Sequence, residues 1–366
     1  MTPENSFAEE EQQKVLIAGW FSFEHGHATG GDILALEVTR EWLRDAGYVN
    51  CDIAFDPPFA GGVNWRTVDA KAYSHVIFVC GPFEQKIYEA EFLAHFSSCR
   101  LVGLNLSIPA HLSEWNPFDL LYERNSTKAV RPDMVFLSKR AKVPVVGVCL
   151  VEPYPGGLDR EANEAIQRLV DSREVAVVYI DTRLDVNGTH LRTPAEIESL
   201  IARVDVLLTT RLHGAVMAIK NGVPVVPIDP EAGGAKIVDQ MKRIGWPFVF
   251  TADALNDEAL TKAFDYCFTE EARTKAQACR LFAIETLEET RKDFISQLNS
   301  NGSLEENFLL RTKKNKRPAW AETLLKEAAQ TETASKKNKA KSLAKKAVLL
   351  LLPGIVFYAA KRMRRR

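Results

Sequence analysis

The 366-residue sequence has six cysteines, at positions 51, 80, 99, 149, 267 and 279, and no two of them form a C-x-x-C pair. Their spacing supports no zinc site, and several lie in apolar runs, as the buried thiols of a reduced, cytoplasmic protein do. There is no G-x-G-x-x-G fingerprint for a dinucleotide and no D-x-D triplet to hold a metal–diphosphate. His25 and His27 sit two apart without a carboxylate or cysteine at ligand spacing, so they read as loop histidines and no metal or cofactor is expected. His75, His95, His111 and His190 carry no motif. Residues 1–13 are acidic and polar, unlike a secretory leader. The apolar run Ala347–Ala360 has fourteen residues. As a helix it would reach about 21 Å, short of the roughly 30 Å hydrocarbon core.

What the sequence does have is apolar substance and polarised charge. Apolar residues make up 46%, enough to build real cores. The formal charge is only −1, but residues 311–366 hold seventeen Lys and Arg against three Asp and Glu, a net of +14. That leaves the first 310 residues at −15. An acidic body argues against a nucleic-acid partner, and a basic tail suits an anionic membrane surface.

Along the body, short β-branched runs alternate with helical patterns. Strands are expected at Val15–Ala18, Cys51–Phe55, His75–Cys80 and Leu101–Leu106, then at Val143–Val151, Val175–Ile180, Val204–Leu208 and Val223–Ile228. Helices are expected over about 32–46, with Leu34, Val38 and Trp42 as its apolar stripe, and over 84–96, 158–172, 215–220 and 252–298. Thr193-Pro194-Ala195-Glu196 is a capping box with proline at the first helical position. The alternation predicts parallel sheets with helices on both faces. Pro132-Asp133 and the polar run Ser138–Lys142 mark a junction between two such series.

The stretch that organises the chain is Val204–Gly222, a strand, a turn holding Arg211 and His213, and a helix stopped at Asn221-Gly222. In open parallel sheets the turn leaving a strand's carboxyl end is where ligands sit. A permanent cation and a titratable imidazole there suit an anionic substrate that needs a proton moved. The bland alternative is that Arg211 pairs with a carboxylate and His213 caps the helix.

Thr210-Arg211-Leu212-His213-Gly214, followed by Ala218, Gly222-Val223-Pro224 and Lys236, resembles the signature of the polysaccharide pyruvyl transferase family. Weaker likeness runs through Asp119–Ser126, Arg131–Phe136 and Gly30-Gly31-Asp32, so that it spans roughly residues 14–296. The resemblance implies transfer of pyruvate from phosphoenolpyruvate onto a sugar hydroxyl of a glycan or lipid-linked acceptor, usually as a ketal. It implies two Rossmann-like α/β domains facing across a cleft, GT-B-like. Residues 14–142 would hold the acceptor and 143–298 the phosphoenolpyruvate. In that reading Arg211 grips an anionic group and His213 is the acid. Lys236, Gly214 and Gly31 line the substrate, and Asp32 is the base. Asp32 also reads as a helix N-cap, Lys236 as an ordinary helix-start lysine, and Arg124 and Arg131 as structural ion pairs. The loop His25–Gly30 departs from the family's shorter Gly-rich turn, which bears on Asp32. Two other readings stand beside this one: a GT-B glycosyltransferase with a nucleotide-sugar donor, and a non-catalytic scaffold.

Residues 299–346 read as a basic linker and 347–366 as an apolar and basic tail docked peripherally on the membrane. Both the charges and the apolar run should be needed for firm attachment. The full chain is expected to sediment with anionic vesicles and a chain ending at Asn315 to stay in solution. Release of the full chain by high salt alone would mean that the apolar run does not insert.

Overall fold

The computed structural model describes residues 14–24, 28–125 and 130–299. The chain divides into two compact units at Val143/Pro144.

In the first unit, Val15–Gly19 (β1) is a run of five buried residues, the pattern of a strand covered on both faces. Its alternate residues go to opposite sides. Leu16 and Ala18 join an aromatic cluster with Trp65, Phe78, Phe83, Phe92 and Phe96, while Val15 and Ile17 pack with Ala35, Leu36 and Val38. Around β1 the sheet is wholly parallel, with Cys51–Phe55 (β2), Val63–Asn64 (β3), His75–Val79 (β4), Arg100–Ser107 (β5) and Leu120–Asn125 (β6) in the order β3-β2-β1-β4-β5-β6. That is the strand order of the Rossmann sheet, with its reversal between β1 and β4. Gly30–Asp45 (α1) and Ile87–His95 (α2) are its helices.

Helix α1 starts two residues earlier than its pattern suggests. Thr29 is the N-cap and Asp32 is the third helical residue of a capping box. The buried stripe is Ala35, Leu36, Val38 and Thr39, and Trp42 is 45% exposed. Leu36 and Val38 face the sheet with the small Ala35 and Thr39, and the bulky indole is left half outside. Strands β3 and β6 were not anticipated. Two residues and a half-exposed sheet edge give too little apolar alternation to read.

The second unit contains Val145–Cys149 (β7), Asp159–Asp171 (α3), Ala176–Tyr179 (β8), Pro194–Ile201 (α4), Val206–Thr209 (β9) and Leu212–Lys220 (α5). Val225–Asp229 (β10), Lys236–Arg243 (α6), Phe250–Thr251 (β11), Asp257–Cys267 (α7) and Glu270–Asn299 (α8) complete it. The sheet is again parallel, ordered β11-β10-β9-β7-β8, the flavodoxin-like arrangement with its reversal between β7 and β9. The stretch expected as one helix over 252–298 is a 3-10 turn at Ala252–Ala254 followed by α7 and α8.

The six cysteines are free, five of them buried. No helix among the described residues is long and apolar enough to cross a membrane, and no group of three metal-binding side chains occurs among them. The acidic N-terminus, His25 and His27, the linker beyond Asn299 and the membrane-docking tail lie outside the described residues.

The Glu231–Ala235 loop, two of whose five residues are glycine, is pinned. Asp229 is 2% exposed, and its Oδ2 accepts from the backbone N–H groups of Ala235 (2.8 Å), Ile237 (3.0 Å) and Val238 (3.2 Å). Asp253 holds Gly233 N at 3.1 Å. The carboxylate of Asp229 thus fills the N-terminus of α6 and satisfies donors that water cannot reach. Asp229→Ala should cost about 3 kcal/mol by orphaning those donors. The urea midpoint checks this, and a shift worth under about 0.5 kcal/mol, the range of ordinary surface changes, would contradict it.

Candidate functional site

The turn after β9 is stitched to the turn after β7. Thr209 Oγ1 donates to Cys149 O (2.7 Å) and accepts from Arg211 N (3.0 Å). Thr210 Oγ1 accepts from Val151 N (2.8 Å) and donates to Asn163 Oδ1 (3.0 Å), while Asn163 Nδ2 donates to Val151 O (2.9 Å). Both threonines are buried; the Thr210 hydroxyl gives Val151 N its partner, and the Thr209 hydroxyl adds a second donor to Cys149 O, which also accepts from Thr210 N at 3.1 Å. The paired threonines before Arg211 are the part of the motif that builds the turn.

Arg211 is the N-cap of α5, placed at the strand-order reversal where ligands of such sheets bind. Its Nε donates to Leu150 O at 2.7 Å, and its Nη2 meets Glu152 Oε2 at 2.7 Å and Asp181 Oδ1 at 3.7 Å. The side chain is 15% exposed and lines a cavity of about 190 Å³ with Leu150, Glu152, Tyr179, Asp181 and Thr189. The carboxylate pairing anticipated as the bland alternative is therefore present. Glu152 Oε1 also meets Arg183 Nη1 at 3.1 Å. Burial alone would raise the Glu152 carboxyl, but its own backbone N–H, the Arg183 hydrogen bond and the charges of Arg211 and Arg183 hold it below the ordinary glutamate value. Its ion pairs therefore persist above that ordinary value and are lost as pH falls through the lowered one.

His213 lies in the first turn of α5, exposed and without a hydrogen-bond partner among the described residues. It does not cap the helix. No side chain caps α5 at all, whereas Asp229 occupies the N-terminus of α6. The open N–H groups and partial positive charge of α5 are thus free to meet an anion.

The remaining predicted residues fall elsewhere. Gly214, expected at the substrate, is buried at the seam between α5 and β9. A Cβ there would lie 2.5 Å from Thr209 Oγ1 and 3.1 Å from Cys149 Sγ. Its bareness serves close packing of helix on strand. Lys236 is the exposed first residue of α6, which leaves the neighbouring strand β10. Asp32 and Gly31 belong to the first unit, in the first turn of α1, the helix that follows β1. Asp32 Oδ2 accepts from Thr29 N (3.0 Å) and Thr29 Oγ1 (2.7 Å). A Cβ on exposed Gly31 would meet only Thr29 Oγ1, at 3.6 Å, so packing sets no need for glycine there. Arg124 pairs with Asp133, and Arg131 meets Glu123 at 3.0 Å, as structural ion pairs.

Glu152, Asp181 and Arg183 were missed by sequence reasoning. Their signal was position alone, just past the carboxyl ends of β7 and β8. A larger depression of about 480 Å³ lies at the opposite, amino-terminal end of the strands, lined by Val204, Asp205, Gly222, Val223 and Arg273. Ligands of open parallel sheets bind at the carboxyl ends of the strands, and we place the candidate site at Arg211.

The family model described as polysaccharide pyruvyl transferase matches residues 129–231. The matched span contains β7 through β10 with Arg211, His213 and Gly214, and ends before Lys236. No curated protein matches the chain. Among solved structures, the spinosyn forosaminyltransferase SpnP is similar at 12% identity, with 73% of this chain and 94% of that one covered and a TM-score of 0.27. The UDP-GlcNAc 2-epimerase of Methanocaldococcus jannaschii shows 10% identity over 75% and 99%, also at 0.27. MurG of Acinetobacter baumannii shows 13% over 74% and 95%, again at 0.27. Such scores say nothing of activity.

Gly214→Ala tests the packing role through its sign. An open helical position would gain about 1 kcal/mol from the alanine, whereas the crowding described should cost about 1–3 kcal/mol. Denaturant unfolding distinguishes the two.

Proposed function

We propose that the chain is a pyruvyl transferase that moves pyruvate from phosphoenolpyruvate onto a sugar hydroxyl of a surface glycan or its lipid-linked precursor. The observation that carries this reading is Arg211 at the β7/β9 reversal, beside the uncapped N-terminus of α5 and within the span matched by the family model.

Phosphoenolpyruvate carries a carboxylate and a phosphate on one enol carbon. The planar guanidinium of Arg211 and the first N–H groups of α5 supply the positive surface those groups require. His213, as imidazolium, gives its proton to the methylene carbon, which becomes a methyl group and leaves the enol carbon cationic. An acceptor hydroxyl oxygen bonds to that carbon and loses its proton to a base. The carbon–oxygen bond to phosphate then breaks, and a second hydroxyl oxygen bonds to the same carbon and gives its proton to the departing inorganic phosphate, closing the ketal. Asp32, in the first turn of α1 after β1 at its own sheet's reversal, is assigned the base, and the first unit (residues 14–142) the acceptor. Lys236 adds a cation beside β10. Residues 143–298 then form the donor domain of a two-domain, GT-B-like enzyme, and residues 347–366 hold it to the cytoplasmic face of a membrane. The prior pairing of Arg211 with Glu152 is also what a non-catalytic scaffold would retain. Incubation with phosphoenolpyruvate and candidate glycans, followed by a mass search for an added pyruvate ketal, separates the two.

With an acceptor in hand, Arg211→Lys should lose about 100-fold in kcat/KM while remaining folded, since the charge stays and the bidentate fork is lost. His213→Asn should lower kcat by about 100-fold and leave phosphoenolpyruvate affinity nearly unchanged. Equal losses of affinity and rate would remove His213 from proton transfer.

A further inference from the structure

The ion pairs around Arg211 contain one carboxylate too many. Arg211 and Arg183 bring two positive charges, and Glu152, Asp181 and Asp185 bring three negative ones. An anionic substrate cannot be held there unless a carboxylate leaves.

The three carboxylates are not equally able to go. Asp181 is 16% exposed, and its oxygens accept from the backbone N–H groups of Arg183 (2.9 Å) and Gly188 (3.1 Å), so it is part of the loop's framework. Asp185 meets Arg183 Nε (3.0 Å) and Nη2 (2.8 Å), fixing that guanidinium, and has no contact with Arg211. Glu152 alone bridges both arginines, one oxygen on each. Its side chain is 55% exposed and sits on the turn after β7, so it can swing into water while the arginines stay held by Leu150 O and by Asp185.

A carboxylate spread across two guanidiniums has the chemistry of the ligand those guanidiniums would bind. We propose that Glu152 is an exchangeable internal anion occupying a two-arginine site, and that Arg183 is the second cation to which the substrate's carboxylate or phosphate binds when Glu152 leaves. This deepens the pyruvyl transferase reading and rests on it. Arg183 is then a binding residue and Glu152 a competitor that sets affinity and selectivity. Only an anion with two oxygens to offer recovers both contacts that Glu152 gives up.

The test uses the full chain, titrated calorimetrically with phosphoenolpyruvate and with inorganic phosphate, and with unfolding midpoints to confirm that each variant folds. Glu152→Gln keeps shape and removes the charge, and should tighten both anions about tenfold. Loss of a merely structural ion pair does not raise affinity. Arg183→Gln should weaken both about tenfold. Asp185→Asn removes the same charge without freeing Arg211 and should give less than half the gain of Glu152→Gln. An equal gain would show that long-range charge alone is at work and would overturn the exchange. If phosphoenolpyruvate binds through Arg211, as loss in Arg211→Lys shows, yet the Glu152 and Arg183 variants leave affinity unchanged, the exchange is wrong and the pyruvyl transferase reading stands. If neither the wild type nor Glu152→Gln binds either anion, both fall.

Discussion

The hydrogen bond from Thr209 Oγ1 to the Cys149 carbonyl is the contact on which the candidate site depends. Strands β7 and β9 are neighbours in the sheet but not in sequence, and the helices that follow them pull the chain in opposite directions. Their exit turns must separate, and beyond the last backbone bond between them, Thr210 N to Cys149 O at 3.1 Å, the N–H groups of Val151 and Arg211 would otherwise lack partners. Thr209 and Thr210 replace those partners with hydroxyls, and Asn163 of α3 completes the seam. Only with the seam closed does Arg211 leave β9 at a defined angle, with its Nε on Leu150 O.

Helix N-termini decide what each neighbouring turn can do. Strands β9 and β10 both end in a turn and a helix, and both helices present free N–H groups to the same end of the sheet. At α6 the chain supplies its own anion, Asp229, buried and fully engaged. At α5 it supplies none, and the nearest carboxylate belongs to a different strand's turn and is half exposed. A satisfied N-terminus contributes stability. An unsatisfied one beside two arginines contributes affinity, at the expense of stability that a capping side chain would have added.

The fold was legible wherever burial was two-sided. The strands through Val15–Gly19, Val206–Thr209 and Val225–Asp229 are continuous apolar runs because both faces are covered, and no amphipathic helix reads that way. Edge strands such as β3 and β11 are two residues long, too short for any period. Helix α1 misled because Trp42 continues the stripe of Leu34 and Val38 at four-residue spacing, while the residues buried there are Ala35, Leu36, Val38 and Thr39. At the site, Arg211 and His213 stood out because they share one turn. Glu152, Asp181 and Arg183 did not, because they come from two other turns, and only the sheet's register brings the ends of β7, β8 and β9 side by side. The same register explains why Gly214 misled. Its role belongs to the Thr209 and Cys149 atoms beneath it, which no local pattern contains.

The charge of the first 310 residues works against the proposed substrate. The first 310 residues carry a net −15, and a polyanion approaching such a body is repelled until it comes close. At physiological salt that repulsion fades over about 8 Å, so attraction has to come from cations inside that distance. Two arginines, on the turns after β8 and β9 either side of β7, and an open helix N-terminus supply it locally. Glu152 keeps those arginines paired while the site is empty, since two neighbouring guanidiniums would otherwise gather whatever small anion is abundant. Selectivity follows from that occupancy. A monovalent ion that touches one arginine recovers less than Glu152 already provides, whereas a ligand with two anionic groups recovers it and adds the helix N–H groups. The acidic body and the internal carboxylate thus act in the same direction, both raising the threshold that a ligand must exceed before it is held.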